Sequence, residues 1–503
     1  MRQTINRYDL SERKQLLLIG LGITVVYITL SILFPAYDWD IEDWMALRPL
    51  PTSLSFYDPI IPHAILPGFI VGWVANVFRT PLLETHIVIS CLFTGGGITV
   101  LMLLSYDITD RFYASVIVGI TLSITRTFLI ISLSGENDLF GLAYLSLLLY
   151  GVYRFLELSP FSLRDTALKS YFVVGVGASL LTLFHLQLTV VGVVLPGMVV
   201  LVNERFFQRY RVKFPTFLKT MGIAYAGYAV GGFGSFFIMS LLMGYLSSEL
   251  GLGLVRDFLE VNFSTANSFS QNPDWSYLAS GQSPLEWSER LINGMVRAFF
   301  FTQYEDPLEV FTSPDLLFIV VSIGICVIPI VDILVRPAHE HRSYFLVLLV
   351  CEGMFFTYMF FYEPHSLERW SPFVMLMGWH NALVLRFELL GKLNYHVLTD
   401  KKVYGVLSFL GGAGLGFIID VLESEALFGF DLGLLVLPLN IIAIVVLGIL
   451  IYSSGRGTGQ ISPNQSLAML MSGLFLLGFF SYVWVTRVLV HLLNCSAAQA
   501  GWC

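Results

Sequence analysis

From Gln15 to Pro35 the chain runs without a charged residue, and apolar stretches of similar length recur along all 503 positions. A helix needs roughly 20 mostly apolar residues to cross a bilayer, so these runs confine the chain to a narrow set of folds. Charged residues make up only 13% of the sequence, against about 25% in a soluble globular chain. Mean hydropathy is +0.74. No polar stretch exceeds about sixty residues, which leaves no room for a sizeable soluble domain. The expected fold is an all-α, polytopic integral membrane protein. The first apolar run is too long for a cleaved signal peptide and lacks a small-residue cleavage site, so it is expected to stay as a helix. Five cysteines, Cys91, Cys326, Cys351, Cys495 and Cys503, form no CxxC pair or metal-type spacing. The first three read as small buried hydrophobes; Cys495 and Cys503 could pair in an oxidising compartment.

Arg2, Arg7, Arg13 and Lys14 stand directly before the first span, which the positive-inside rule keeps in the cytoplasm. The loop that follows, 36–60, is then outside. The next apolar run, 62–78, is short, carries Pro62 and Pro67, and ends at Arg79-Thr80-Pro81. Counted as a span it would send the strongly basic segment 203–219 outside. Laid in the outer interface as helices, it restores the charge rule everywhere. Spans are then expected near 15–35, 84–104, 113–133, 139–155, 171–183, 186–202, 220–245, 310–335, 343–361, 371–386, 403–421, 432–452 and 467–486, about thirteen transmembrane helices. In this topology 20 of the 28 Lys and Arg lie inside, and 24 of the 36 acids lie outside. Three regions follow: an N-terminal transmembrane module over 1–245 with its acidic first outer loop at 36–83, a long extracytoplasmic loop at 246–309, and C-terminal transmembrane helices over 310–503. No internal repeat or low-complexity tract is visible.

The chemistry-bearing residues gather in the outer loops. Tyr37-Asp38-Trp39-Asp40-Ile41-Glu42-Asp43-Trp44 puts four carboxylates and two indoles within eight residues. Carboxylates crowded beside a bilayer raise one another's proton affinity, which suits one of them to take a proton from an acceptor. Asp38 and Asp40 could also share a divalent cation through hard oxygen ligands, Mg or Mn; the plainer alternative is a solvated acidic loop. Glu136 and Asp138 lie in a second outer loop, where Asp138 could equally cap the next helix. Glu363-Pro364-His365-Ser366-Leu367-Glu368-Arg369-Trp370 forms a third. Arg369 suits a phosphate, which a guanidinium grips in bidentate fashion, or a salt bridge with a neighbouring acid. Within or beside the spans stand Arg126, His185, Gln187, Glu352, His380 and Asn381, costly there and often functional. Gly95-Gly96-Gly97 lies inside a span and reads as close helix packing.

Taken in order, these segments resemble the GT-C superfamily of membrane glycosyltransferases, which includes protein O-mannosyltransferases and aminoarabinose transferases. Asp40-Ile41-Glu42-Asp43-Trp44 is similar to the Asp-Glu-x-x-Tyr motif of that family's first outer loop, with Ile41 in place of the second acid and Trp44 for Tyr. Pro59-Ile60-Ile61-Pro62-His63-Ala64-Ile65-Leu66 resembles its His-Pro-Pro-Leu segment, which precedes interfacial helices. Glu136 and Asp138 sit where the family places an acid at the end of the third span. His185-Leu186-Gln187 is similar to a turn ahead of a proline-ended helix, and Glu368-Arg369-Trp370-Ser371-Pro372 to a later outer Arg. The resemblance covers about 36–210 and 355–390. It implies a polyprenyl-phosphate-linked sugar as donor, inversion at the anomeric carbon, and a protein, lipid or glycan acceptor. Asp40 or Asp38 would act as the base, and Arg369 with His185 would hold the leaving phosphate. Glu136 and Asp138 would place the acceptor or a metal, while His63 and Trp44 would line the substrate site. The departure at Ile41 leaves Asp40 and Asp38 both in play.

A second class fits some of the same residues. A transporter or flippase for a lipid-linked or anionic solute would use Arg126, Glu352 and His380 as a buried polar path, and would be expected to carry inverted repeats. A lipid-linked polysaccharide polymerase or ligase would share the donor chemistry and lean on outer arginines.

Overall fold

The computed structural model describes residues 7–34, 65–134, 138–158, 164–184, 188–202, 214–247, 270–273, 276–299, 342–361, 370–385, 402–424 and 463–498, with single positions at 260, 267, 327 and 330. The elements formed by these residues are all helices.

Helices α1 (Arg7–Leu33), α2 (Ile65–Phe78) and α3 (Leu82–Thr109) open the chain. α1 and α3 run antiparallel and close together, because Gly20 faces Thr99 and Gly95 faces Thr24. A Cβ at either glycine would collide with the opposing threonine, so the small residues set the separation. α2 has 14 residues, about 21 Å at 1.5 Å per residue, well under a hydrocarbon core of about 30 Å. It packs through Val71 and Ala75 onto Leu82, Ile89 and Phe140 rather than crossing the bundle.

The expected span at 113–133 is not one straight helix. α4 (Phe112–Ser123) and α5 (Arg126–Ser134) meet at 59°. No proline or glycine stands at the break. The Ser123 hydroxyl donates to the Ile120 carbonyl and Thr125 Oγ1 to the Leu122 carbonyl, and Thr125 N–H also turns back to Leu122. Hydroxyls that compete for backbone carbonyls in this way bend helices.

α6 (Asp138–Leu158) lies parallel to α3, with Gly97 against Ala143 and Asp107 against Tyr150 and Arg154. α7 (Arg164–Phe184), α8 (Thr189–Val202) and α9 (Phe214–Ser247) form the next layer. α7 and α9 run parallel and nearly touch, since Gly175 meets the Ala224 carbonyl and Gly227 the Phe172 carbonyl. α8 runs against both, with Gly192 at Ala178 and Gly197 at Tyr225. α12 (Arg342–Phe361) and α13 (Ser371–Leu385) return as an antiparallel pair marked by Phe356–Phe373 and Phe345–His380 contacts. The Trp379 indole N–H of α13 donates to Ser105 Oγ of α3 at 2.8 Å. α14 (Lys402–Ser424) and α15 (Pro463–Ala498) pack as a parallel pair, Gly412 on Phe475 and Gly416 on Tyr482. The span expected at 432–452 lies outside the described residues, as does that at 310–335 apart from Val327 and Ile330.

Four of the described helices are long and apolar enough to cross a membrane, or five if α4 and α5 are one bent span. The molecule is thus a multi-helix membrane-type bundle; the thirteen spans of the sequence reading go beyond what the described residues carry.

One end of the bundle is tied by charge. Asp107, whose side chain is 2% exposed, accepts from Arg13 at 2.5 Å, from Arg154 at 2.5 Å and from the Tyr150 hydroxyl at 2.7 Å. The Tyr153 hydroxyl donates to its backbone carbonyl, and the Tyr106 hydroxyl donates to Glu12 at 2.5 Å. This knot joins α1, α3 and α6 at what is termed here the near end.

Candidate active site

The far end of the bundle, opposite the knot, is where the candidate loops are anchored. The chain leaves α1 there at Phe34 and re-enters at α2, whose roof over Phe140 joins the top of α3 to the start of α6. Tyr144 of α6 stacks on Phe184 at the close of α7 with ring centroids 4.5 Å apart, so these two ends lie together. Thr189 at the start of α8 donates to Thr182 of α7. α13 runs parallel to α6, with Ser146 Oγ against Met375 Sδ at 3.5 Å, so its start at Ser371 shares that end. The segments 35–64, 135–137, 185–187 and 362–369 therefore all connect far-end helix termini.

The candidates on those segments, Asp38, Asp40, Trp44, His63, Glu136, His185 and Arg369, lie outside the described residues. Asp138 is the first residue of α6. Among the described residues no group of three or more His, Cys, Asp or Glu could hold a metal.

Three polar features stand in the described part. Glu352 and His380 pair across α12 and α13, Oε1 to Nδ1 at 2.9 Å, both fully buried, with Phe345 stacked on the imidazole at 5.0 Å. Glu352 therefore finds its partner in His380. Arg126 lies elsewhere, on α5. The second feature is His86, fully buried in α3 with its ring 5.6 Å from Phe140, which follows Asp138 by two residues. The sequence reading passed over it because it sits in an otherwise apolar run. The third is the setting of Arg126, which is 3% exposed and opens α5 immediately past the break.

Arg126 is covered by a helix from the segment between α9 and α12. After the short α10 (Tyr277–Ser280) and a turn through Gly281, α11 (Pro284–Phe299) begins. Ser283 and Glu286 cap it reciprocally: Glu286 N–H donates to Ser283 Oγ, while Ser283 N–H and hydroxyl donate to the Glu286 carboxylate at 2.9 and 2.8 Å. Those two donors hold the Glu286 carboxyl below the ordinary carboxylate range. Trp287, Leu291, Met295 and Ala298 form a buried stripe at helical spacing. The Trp287 indole N–H donates to the Phe360 carbonyl at the end of α12 at 2.5 Å, and Thr127 Oγ1 donates to the Ala298 carbonyl at 2.6 Å. α11 is thus pinned at both ends across the termini of α5, α12 and α13. The sequence reading took 246–309 as one long loop, and this helix was not read from it.

No protein-family model matches the chain, and no curated protein does. In structure the chain is similar to ArnT. The likeness to ArnT from Cupriavidus metallidurans, solved with undecaprenyl phosphate bound, covers 96% of this chain and 78% of that one, at 12% identity and a TM-score of 0.49. The oligosaccharyltransferase AglB from Archaeoglobus fulgidus, solved with an inhibitory peptide and a dolichol-phosphate, is similar over 96% of this chain and 56% of its own, at 12% identity and a TM-score of 0.40. These likenesses concern the fold alone.

Proposed function

We propose that this chain is an inverting glycosyltransferase that moves a sugar from a polyprenyl-phosphate-linked donor to an acceptor at the far end of the bundle, outside the cytoplasm. The carrier would be of the kind held in the ArnT structure. The observation that supports the reading most is the convergence of helix ends: the four segments that bear the acidic and cationic candidates connect termini on one face. The sidedness of charge supports the orientation, since the knotted end carries Arg13 and Arg154.

In this reading Asp40 or Asp38 accepts the proton of the acceptor's hydroxyl or amine as that atom attacks the anomeric carbon. The bond from the anomeric carbon to the phosphate oxygen breaks on the opposite side, and polyprenyl phosphate leaves with the electron pair. Arg369 and His185 stabilise the charge that develops on that phosphate, and in a dry site this is the larger contribution. Glu136, Asp138, His63 and Trp44 position the substrates. Asp38 and Asp40 offer hard oxygens to a divalent cation such as Mg or Mn, which would lend positive charge to the leaving phosphate.

The test is sugar transfer in membranes from a panel of radiolabelled prenyl-phosphate sugars. Wild type should label an endogenous acceptor, and Asp40→Asn or Asp38→Asn should lower the rate by about 10²–10⁴-fold with folding kept. Equal transfer by wild type and both variants sinks the assignment of the base.

A further inference from the structure

Apolar packing gives α12 and α13 little by which to choose a register. α12 carries Tyr344-Phe345 at one end, Phe360-Phe361 at the other and Phe355-Phe356 between. Rings of similar size at several heights can interdigitate in more than one way, because apolar attraction has no direction. A polar side chain on each helix breaks this sameness. Glu352 Oε1 meets His380 Nδ1 at 2.9 Å with both side chains fully buried, and in that register Phe356 lies against Phe373. The two residues stand at equal depth. Glu352 is nine residues from Phe361 at the end of α12, and His380 is nine from Ser371 at the start of α13. At 1.5 Å per residue each lies about 13 Å below the far-end termini. α13 is itself held in place, since Trp379, the residue before His380, donates to Ser105 of α3 at 2.8 Å.

We infer that Glu352 and His380 are positioning residues. Their bond fixes the register of α12 against α13, and with it the height at which the connecting segment 362–369 presents Arg369; this rests on the transferase reading above and adds two residues to it. Stability does not account for the pair. Apolar residues of similar volume in place of a buried pair of this kind are often neutral or stabilising, and its best-attested use is to set register. The cost is visible here, since Glu352 Oε2 and His380 Nε2 are buried without a hydrogen-bond partner. What the bond supplies is a preferred distance and angle, which the rings lack. A neighbouring register would move α12 by about one turn, 5.4 Å. That move parts Oε1 from Nδ1 and leaves two more polar atoms in apolar surroundings, so the pair disfavours it. The height matters because Arg369 is to meet a charge that develops during the reaction. A misplacement of about 1 Å is enough to weaken such a contact.

The test compares the full chain and its double variant Glu352→Leu/His380→Leu in lipid nanodiscs by electron cryomicroscopy, melting temperature and sugar transfer. The double variant should melt no lower than Glu352→Ala. It should nevertheless show α12 displaced along α13, with Phe356 away from Phe373, and lose about 10²-fold in kcat with KM changed less. Glu352→Gln, whose amide can still bond Nδ1, should keep the register and most of the transfer. A purely structural pair would instead lose activity in step with melting temperature. If leucine fills the space badly and the double variant does not fold, Glu352→Met/His380→Leu takes its place, since methionine is unbranched and closer in length to glutamate. The wild-type register in the folded double variant overturns the inference, whatever the activity. A displaced α12 with undiminished kcat overturns the positioning role. The transferase reading fails separately: Asp40→Asn and Asp38→Asn should keep the register while losing transfer. A register that depends on the pair, in a chain that transfers no sugar from any donor, keeps the pin and removes the enzyme.

Discussion

Glu352 and His380 meet 28 positions apart with neither side chain exposed, and each leaves one polar atom, Oε2 and Nε2, buried without a hydrogen-bond partner. Breaking such a pair from one side strands the other group in a medium that cannot solvate it. Glu352→Ala should therefore destabilise the protein by about 3–5 kcal/mol. Replacing both by leucine should cost less than either single truncation, a coupling of about 1 kcal/mol or more in a thermal-melt double-mutant cycle. Additive losses would mean that the pair does not act as a unit. At this scale the sequence was partly readable. An acid, an imidazole and an arginine in apolar runs stand out by cost alone, but which of them touch depends on helix rotation and depth.

Among the elements, α9 and α11 depend on opposite kinds of local chemistry. α9 lies against α7 because Gly227 lets the Phe172 carbonyl approach, so Gly227→Ala should force the helices apart and cost about 1–3 kcal/mol. Gly222, on the same helix, meets nothing within 4 Å, and Gly222→Ala should be neutral or mildly stabilising by comparison of melting temperatures. α11 depends on a carboxylate. Its Glu286 is held below the ordinary range by Ser283, so the cap contributes fully above the unfolded-state value near 4.3 and fades as pH falls through the lower folded value. The protection factors of the amides of 285–287, exchange rates referred to those of the unfolded chain at the same pH, should fall on acidification, and Glu286→Gln should remove that pH dependence. Protection factors flat with pH in wild type would count against the cap. Helix positions were mostly visible as apolar runs. The bend at Ile124 was not, because hydroxyls rather than proline make it.

For the molecule as a whole, the alternation of helix directions and the placing of charge give one assignment of sides. Asp110, exposed at the near end, and Leu285, exposed on the far-end hairpin, are its markers. With Cys326, Cys495 and Cys503 replaced, Asp110→Cys should react with a membrane-impermeant maleimide only after cells are opened, and Leu285→Cys in intact cells. Cys91 and Cys351 are buried and give little background. The reverse pattern would invert the topology and take the proposed site into the cytoplasm. Lysine and arginine placement is the sequence's ground for expecting this orientation, which the labelling tests, and the short length of α2 accords with its exclusion from the spans. The acidic candidates at 38 and 40 were legible as residue types alone, since a catalytic role needs a geometry that no spacing supplies.

The knot around Asp107 also fixes an order of events during synthesis. Arg13 enters the membrane first, its carboxylate partner follows 94 residues later, and Arg154 later still. At about 5–20 residues per second the ribosome needs roughly ten to thirty seconds to supply all three. Until then α1 has its basic flank and no acidic mate, which is the state in which orientation is chosen. Once Asp107 arrives, turning α1 over would mean pulling a paired arginine through oil. The choice made by the first few residues is thus sealed by the third helix, before the far-end segments 135–137, 185–187 and 362–369 have been made.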